Sequence, residues 1–338
     1  MKNNYSKILI IKWGALGDIV AATPAIVAVR KALPNSHITL LSNSLMKEIV
    51  PAKSIVDELI VYDSHNSNLN YNLEVIKKLK KTKFDLALNL RWKSHRSALL
   101  TYFSGAKIRA SSGPENLMFL YNNKISHPVG RYHEIDRNLD IVKAAGIEIA
   151  EVESFIFISS VDQKFADEFY LSNELTKKNC VVIHPGASRE KRTWKPERYI
   201  EIGKRIIEKY KSKVVVTWGP TEKNLAEKIV NEIGENAIIS SDTNSIGKIS
   251  AIIKNAGLFI SVCTGPMNIA VALDTPVVAL LGSTHPLDWS PYGKIHEYIK
   301  SPYDLLEYSE DEERKALDLI TVDEVWKVVD KKLNQLII

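Results

Sequence analysis

The chain has 338 residues, of which 45% are apolar and 25% are charged. A chain of this length has room for about two domains, and its composition excludes a disordered or collagen-like protein. The net charge is only +5, and both signs alternate along most of the chain, so we expect no nucleic-acid partner.

In the first half, short β-branched runs alternate with segments of helical spacing. The predicted strands are Ile8–Ile11, His37–Leu41, Glu58–Val61, Leu86–Leu90 and Lys107–Arg109. Between them, apolar residues from Ile19 to Leu33 recur at steps of three and four, and Val75, Leu79 and Phe84 bracket a lysine-rich polar face. This alternation predicts βαβ units and a parallel sheet.

The second half repeats the pattern. Its predicted strands are Val181–Ile183, Val214–Thr217, Ala237–Ile239, Leu258–Ser261 and Val277–Leu281, with helices at Pro196–Tyr210 and Thr221–Ile233. We therefore predict an α/β protein with two doubly wound halves. The polar segment Ser172–Asn179 is the expected linker, which places the boundary near residue 175 and gives domains 1–175 and 176–320. Thr321–Leu336 begins with a candidate cap and first-turn acids, which predicts a terminal helix within residues 321–338.

Neither the cysteines nor the apolar segments indicate export. Cys180 and Cys263 form no CxxC motif or Cys/His cluster, so we expect no disulfide framework or structural zinc and a reducing cytoplasm as the setting. The apolar run near the N-terminus stops at Lys12, too early for a signal peptide. The most apolar stretch, Ile269–Leu281, is interrupted by an aspartate and a proline and is shorter than the roughly 20 residues of a membrane span. Any membrane contact is expected to be peripheral.

The loop Gly14-Ala15-Leu16-Gly17-Asp18 directly follows the first predicted strand and opens a helix. Glycines let the backbone approach a ligand closely, and the N–H groups of a helix N-terminus point towards it. The loop is neither a dinucleotide fingerprint nor a P-loop. On local sequence alone, Asp18 is either an N-cap or a catalytic carboxylate.

Two further loops follow strands of the second half. Residues 184–196 (HPGASREKRTWKP) hold four cations within seven residues, which would suit a phosphate group or form an ordinary solvated basic loop. Residues 262–268 (VCTGPMN) precede an apolar helix and predict either an anion-binding nest or a tight turn. In open α/β sheets the carboxyl ends of the strands are the usual binding place.

These segments, in this order, resemble glycosyltransferase family 9, the ADP-heptose:lipopolysaccharide heptosyltransferases. The resemblance covers nearly the whole chain and rests on KILIIKWGALGDIVAATPAIVAVRKALPNSHITLL, YHEIDRNLDIVKAAGI, VVIHPGASREKRTWKPERY, FISVCTGPMNIAVALDTPVVALLGSTHPLDWSPYG and ITVDEVWKVV. It implies the GT-B fold, in which two Rossmann-like domains face a central cleft, the N-terminal one binding the acceptor and the C-terminal one the nucleotide sugar. The implied activity is an inverting transfer of heptose from ADP-heptose to the lipopolysaccharide inner core.

The resemblance also implies roles for individual residues. Asp18 corresponds to the family's general base, which removes the proton of a sugar hydroxyl. The implied donor-binding residues are Ser188, Lys191, Arg192, Glu222, Thr264, Gly265, Pro266 and Met267. Glu222 would contact the nucleotide ribose, or is simply an acid in the first turn of a helix. The acceptor-binding candidates are Gly14, Gly17, Arg91, Lys93 and Arg96, and the last three have the alternative of a solvated helix start.

The sequence departs from the family pattern in the donor loop, where Cys263 replaces the usual Asp and Asn268 the usual His. These changes leave open a different nucleotide sugar, a different surface-glycan acceptor, or a catalytically silent nucleotide-sugar binding protein. No aspartate lies two residues from another, so the DxD metal motif is absent and we expect neither a metal ion nor a cofactor. The expected partners are a nucleotide sugar, the lipopolysaccharide core acceptor and, peripherally, the cytoplasmic face of the inner membrane.

Overall fold

The computed structural model describes residues 5–128, 131–189, 192–243, 245–303 and 310–337. The chain divides into two compact units, Met1–Phe157 and Ile158–Ile338.

The first unit is a parallel six-stranded sheet with the order β3-β2-β1-β4-β5-β6. Its strands are β1 (Lys7–Ile11), β2 (His37–Ser42), β3 (Glu58–Val61), β4 (Leu86–Asn89), β5 (Ile108–Ser111) and β6 (Asn123–Lys124). Its helices are α1 (Leu16–Val20), α2 (Thr23–Ala32), α3 (Met46–Ile49), α4 (Leu69–Thr82), α5 (His95–Phe103) and α6 (Glu134–Ala144), with a 3-10 helix at Glu115–Leu120. The central strands are continuous apolar runs because a parallel sheet is covered on both faces.

Local sequence explains where several of these helices begin. The helical spacing from Ile19 to Leu33 is split between α1 and α2, and Pro24 lies in the first turn of α2, where its missing N–H costs no helical hydrogen bond. The Asn68 side chain caps α4 by accepting the N–H groups of Asn70 and Tyr71.

The second unit repeats the architecture with the order β12-β11-β10-β7-β8-β9. Its strands are β7 (Cys180–His184), β8 (Lys213–Val216), β9 (Ala237–Ile239), β10 (Leu258–Val262), β11 (Val277–Leu281) and β12 (Glu297–Lys300). Its helices are α7 (Ser160–Ser172), α8 (Pro196–Tyr210), α9 (Lys223–Ile233), α10 (Ile246–Lys254), α11 (Gly265–Ala272), α12 (Pro286–Trp289), α13 (Glu310–Asp318) and α14 (Val322–Ile337). Both sheets have the strand order of a Rossmann fold, so the predicted pair of doubly wound α/β halves is confirmed.

The structure differs from the prediction in two respects. The units divide after Phe157 rather than near residue 175, because α7 packs against α10 and Tyr170 donates a hydrogen bond to the Ile252 carbonyl at 2.9 Å. The edge strands β6 and β12 were not predicted, since one has two residues and the other mixes polar and apolar residues. The expected terminal helix is present as α14, and it packs on α8. No helix among the described residues is both long and apolar enough to cross a bilayer.

Candidate functional site

In each unit, the two central strands mark the point where the strand order reverses. These pairs are β1 with β4 and β7 with β10, and both pairs are parallel. Loops that leave such a pair diverge to opposite sides of the sheet and open a crevice at the carboxyl ends. The loop with Asp18 follows β1, and the two other candidate loops follow β7 and β10. The topology therefore places all three sequence-predicted loops at switch points.

Asp18 is the third residue of α1, and the cap position belongs to Ala15. Its Oδ2 accepts the Ala15 N–H at 3.2 Å, and its Oδ1 lies 3.5 Å from a guanidinium nitrogen of Arg91. A Cβ added to Gly14 would lie 2.8 Å from the Asp18 carboxylate, so glycine is required for this close approach. The Asp18 side chain is 23% exposed, and a ligand in solution can reach it.

A buried charge network lies behind this loop. Lys12 donates through Nζ to Glu134 Oε1 at 2.8 Å and to the Leu90 carbonyl at 3.2 Å, and Arg137 donates to Glu134 Oε2 at 2.8 Å. Burial by itself raises the pKa of Glu134, but the charges of Lys12 and Arg137 outweigh it and hold that pKa below its ordinary value. The network ties the loop after β1 to α6. Sequence reasoning missed it, although a lysine that directly follows a buried strand needs a partner.

A groove of about 990 Å³ lies in the first unit and is lined by residues that follow β4 and β5. The Trp92 ring lines it, with Lys93 Nζ 4.7 Å and the Arg137 guanidinium 4.3 Å from the ring centroid. Two buried polar atoms of lining residues, Ser112 Oγ and His127 Nδ1, have no hydrogen-bond partner among the described residues. Arg137 is buried and paired with Glu134, whereas Lys93 and Lys124 line the groove and give it positive charge, which suits an anionic ligand.

The predicted acceptor residues do not all meet at this groove. Lys93 lines it, whereas Arg91 is directed at Asp18. The guanidinium of Arg96 instead donates to the backbone carbonyls of Ser64 and Asn66, the latter at 3.0 Å, so it braces a neighbouring loop. Gly17 is an ordinary second residue of α1.

In the second unit, Glu222 lies at the carboxyl ends of β7 and β8. It directly precedes α9, and its Oε2 accepts the Gly219 N–H at 2.8 Å and lies 3.5 Å from His184 Nε2. A Cβ added to Gly186 would lie 2.0 Å from the Glu222 carboxyl carbon, so this carboxylate covers the loop after β7. Burial lowers the pKa of His184, although the Glu222 charge opposes that shift. Glu222 is thus directed at the candidate loop rather than into the first turn of its own helix.

Arg192 forms a two-point ion pair with Glu313 of α13, donating through Nε and one terminal nitrogen. The Glu313 side chain is 2% exposed and also accepts from Ser283 Oγ at 3.2 Å, whereas Arg192 is 37% exposed. The contact with Glu313 raises the pKa of Arg192. Sequence reasoning missed Glu313 as a partner because it is distant in the chain. Lys191 lies outside the described residues.

Cys263 and Thr264 form the turn between β10 and α11. Thr264 is the cap residue, and the Met267 side chain is buried, so only the Met267 backbone can contact a ligand. Gly265 and Pro266 open the helix, and Ser188 in the facing loop is exposed. Burial raises the pKa of Cys263 to about 11, so this residue is a neutral thiol.

A cavity of about 20 Å³ lies behind this turn, lined by Cys263, Arg192 and Glu313 among others. This is room for about one water molecule. Since Cys263 and Glu313 line the same cavity, α13 supplies a carboxylate close to the position where the family pattern has an aspartate. Within the described ranges, no three histidine, cysteine or acidic side chains are grouped as metal ligands.

Comparison with known proteins identifies the family. Residues 72–317 match the sequence model of Glycosyltransferase family 9 (heptosyltransferase). The chain belongs to glycosyltransferase family 9. It is 26% identical to lipopolysaccharide heptosyltransferase 3 of Escherichia coli K12 over 94% of this chain and 96% of that protein. The predicted family is confirmed, and this family 9 member is a glycosyltransferase.

Solved structures of family 9 share its fold. The glycosyl transferase family 9 structure from Veillonella parvula has a TM-score of 0.81 with 21% identity and covers 99% of both chains. The Escherichia coli heptosyltransferase WaaC with ADP-2-deoxy-2-fluoro heptose has a TM-score of 0.73 with 17% identity, over 96% of this chain and 99% of that one. The GT-B fold class, with two Rossmann-like domains, is therefore confirmed. The roles of the individual site residues remain predictions.

Proposed function

We propose that this family 9 glycosyltransferase transfers heptose from ADP-heptose to the inner core of lipopolysaccharide with inversion, and that Asp18 is the general base. The position of Asp18 carries the proposal. Its partly exposed carboxylate lies at the switch point of the first sheet, held by the Ala15 N–H and by Arg91. The relatives named lipopolysaccharide heptosyltransferase, among them the Escherichia coli protein, support the choice of substrates.

In this proposal, Asp18 removes the proton from the attacking hydroxyl of the acceptor. A sugar hydroxyl is a poor nucleophile until its proton is taken as the new bond forms, and a fixed carboxylate within hydrogen-bond reach can take it. The hydrogen bond to Ala15 occupies Oδ2, and the looser contact with Arg91 leaves Oδ1 able to accept from a hydroxyl. With a single base on the acceptor side, the diphosphate leaves from the opposite face of the sugar, which is why inversion is expected.

We assign the donor to the second unit. The leaving diphosphate gains negative charge, and donors fixed before the reaction stabilise it most effectively. The N-terminus of α11, at Thr264 to Met267, supplies N–H groups, and Lys191 supplies positive charge. Arg192 adds its guanidinium, although Glu313 balances the charge of that group. Ser188 adds a hydroxyl, and Glu222 would accept hydrogen bonds from the ribose hydroxyls. This set needs no metal ion or other cofactor.

We assign the acceptor to the first unit. The groove beside Trp92 offers Lys93 and Lys124 for an acidic group of the acceptor. Arg91 links this groove to the base, because it is the neighbour of Trp92 in sequence and contacts Asp18. The acceptor is anchored in lipid, so the enzyme would work as a peripheral protein at the cytoplasmic face of the inner membrane.

The proposal is tested by giving the purified protein a panel of nucleotide sugars and a heptose-deficient lipopolysaccharide core. We expect ADP-heptose to raise the apparent stability by RT ln(1 + [L]/Kd), about 2.7 kcal/mol at a hundredfold excess over Kd. Mass spectrometry should then show one added heptose on the core. Stabilisation by a different nucleotide sugar would favour the alternative that Cys263 keeps open. Binding without transfer would identify a silent binding protein.

A further inference from the structure

An unusual row of large apolar side chains is exposed on the first unit. On α5, Leu99, Tyr102 and Phe103 are 44%, 45% and 46% exposed. Their spacing of three and four residues puts them on one face of the helix. The adjoining 3-10 helix packs against α5 and adds Phe119, which is 71% exposed. Clustered exposure of large apolar side chains in a soluble domain marks an interaction surface.

Positive charge borders this row. Helix α4 packs beside α5, and the stem of Lys80 lies against Gly105 just after α5, where a Cβ would stand 3.9 Å from the lysine Cγ. Lys77 and Lys81 are exposed on the same helix, and in the described part of the chain none of these three lysines forms an ion pair. Leu69 and Leu73, at four-residue spacing on α4, are 70% and 43% exposed. The exposed residues of α4, α5 and Phe119 together form what we call the α4–α5 surface.

We propose that the α4–α5 surface docks the protein on an anionic lipid bilayer. Tyrosine and phenylalanine side chains partition into the interface between headgroups and acyl chains, and lysines are attracted to anionic headgroups. A protein partner fits the same surface less well, because lysine is depleted in protein–protein interfaces. Apolar side chains bordered by unpaired lysines are therefore complementary to a charged membrane.

The surface continues into the acceptor groove. The 3-10 helix carries Phe119 on its exposed side, while Asn116 and Met118 of the same helix line the groove. A bilayer bound at Phe119 would therefore lie close to the mouth of that groove. This inference extends the peripheral contact proposed above, but vesicle binding itself requires neither donor nor acceptor.

The test is co-sedimentation of the full chain with vesicles of phosphatidylglycerol and phosphatidylethanolamine, and separately of phosphatidylcholine. We expect binding to the anionic vesicles alone, weakened by salt. The double variant Phe103→Ser/Phe119→Ser should bind at least about tenfold more weakly, since each ring loses its apolar contact. Its matched control, Val161→Ser/Leu171→Ser on α7, removes two apolar residues that are 73% and 82% exposed and should bind like the wild type.

A second variant tests the contribution of the lysines to the α4–α5 surface. Each lysine near an anionic membrane strengthens binding about fivefold, so Lys77→Gln/Lys80→Gln/Lys81→Gln should lose about a hundredfold and much of the salt dependence. Unchanged thermal midpoints and unchanged transfer to a lipid-free acceptor fragment would show that the variants are folded.

Three outcomes would overturn the proposal: no binding of the wild type to anionic vesicles, equal binding to neutral ones, or equal losses in the α7 control. If vesicle binding fails while transfer from ADP-heptose proceeds, only the docking surface is wrong. If vesicles bind as expected but no transfer occurs, the proposed function is wrong and the docking surface stands.

Discussion

Replacing Arg192 by alanine removes the partner of a buried carboxylate, and we expect a large loss of stability in the second unit. Glu313 is 2% exposed and receives two hydrogen bonds from Arg192 and one from Ser283. Without Arg192, the negative charge of Glu313 stays buried, and Ser283 is then its one donor among the residues that the structure describes. Such a charge is far less stable than one solvated by water.

The magnitude follows from the burial of the pair. Removing one partner from a buried ion pair costs about 3–5 kcal/mol. Arg192 is 37% exposed, so water can enter the gap, and we expect the lower end, about 3 kcal/mol. Glu313→Gln keeps the shape and leaves Arg192 partly hydrated, so it should cost only about 1.5 kcal/mol, the value of one charged hydrogen bond.

The assay is calorimetric unfolding of both variants, with urea unfolding as a second measure. For a unit of this size, 1 kcal/mol lowers the midpoint by about 2–4 °C, so we expect about 6–12 °C for Arg192→Ala and about half as much for Glu313→Gln. The matched control is Arg205→Ala, whose pairs with Glu201 and Asp323 are at the surface. Surface pairs contribute about 0–1 kcal/mol.

A loss in Arg192→Ala no larger than in Arg205→Ala would refute this reasoning, as would Glu313→Gln being the more damaging change. A confirmed loss bears on the donor site too. ADP affinity of the alanine variant should then be measured at temperatures where its second unit is fully folded.

Four further predictions concern the site and its surroundings. Asp18→Asn should lower kcat in the transfer assay by roughly 10²–10⁴ with nearly unchanged donor affinity, because an amide cannot accept the hydroxyl proton. Transfer should persist in excess EDTA, because Arg192 and the N-terminus of α11 stabilise the diphosphate without a metal. Gly186→Ala should weaken ADP binding in calorimetry, because the added Cβ would displace the Glu222 carboxylate. The fourth prediction concerns His296. Its pKa is lowered to about 4, mainly by burial and to a smaller extent by the nearby positive charge of Lys332. Because the unfolded histidine takes up its proton at a higher pH than the folded one, the free energy of unfolding falls as the pH falls. Urea titrations should show a loss of about 2 kcal/mol between about pH 7.5 and about pH 5.

Each of these has an outcome that contradicts it. Activity of Asp18→Asn within a few-fold of the wild type would make Asp18 a structural residue of α1. Loss of transfer on chelation, restored by Mg²⁺ or Mn²⁺, would show a metal requirement. If Gly186→Ala bound ADP with the affinity of the wild type, Glu222 would not be a contact of the donor. A His296→Gln variant with the same pH dependence as the wild type would assign that dependence to other groups.

The sequence by itself determined most of the secondary structure and the positions of the candidate loops along the chain. Hydrophobic periodicity is local, so the alternation of buried strands and amphipathic helices could be read directly and predicted two doubly wound halves. Gly14 and Asp18 could likewise be placed at a strand-to-helix turn. The short edge strands β6 and β12 could not be predicted, because so few of their residues are buried.

Tertiary structure decided which side chains meet. Lys12 and Glu134 are 122 residues apart, and Arg192 and Glu313 are 121 apart, so no local pattern could pair them. Tertiary packing also decides that Arg96 donates to backbone carbonyls. It likewise decides that α7 belongs to the second unit. A buried charge takes whichever partner the fold brings within hydrogen-bond distance, and the order of the strands in each sheet sets that proximity.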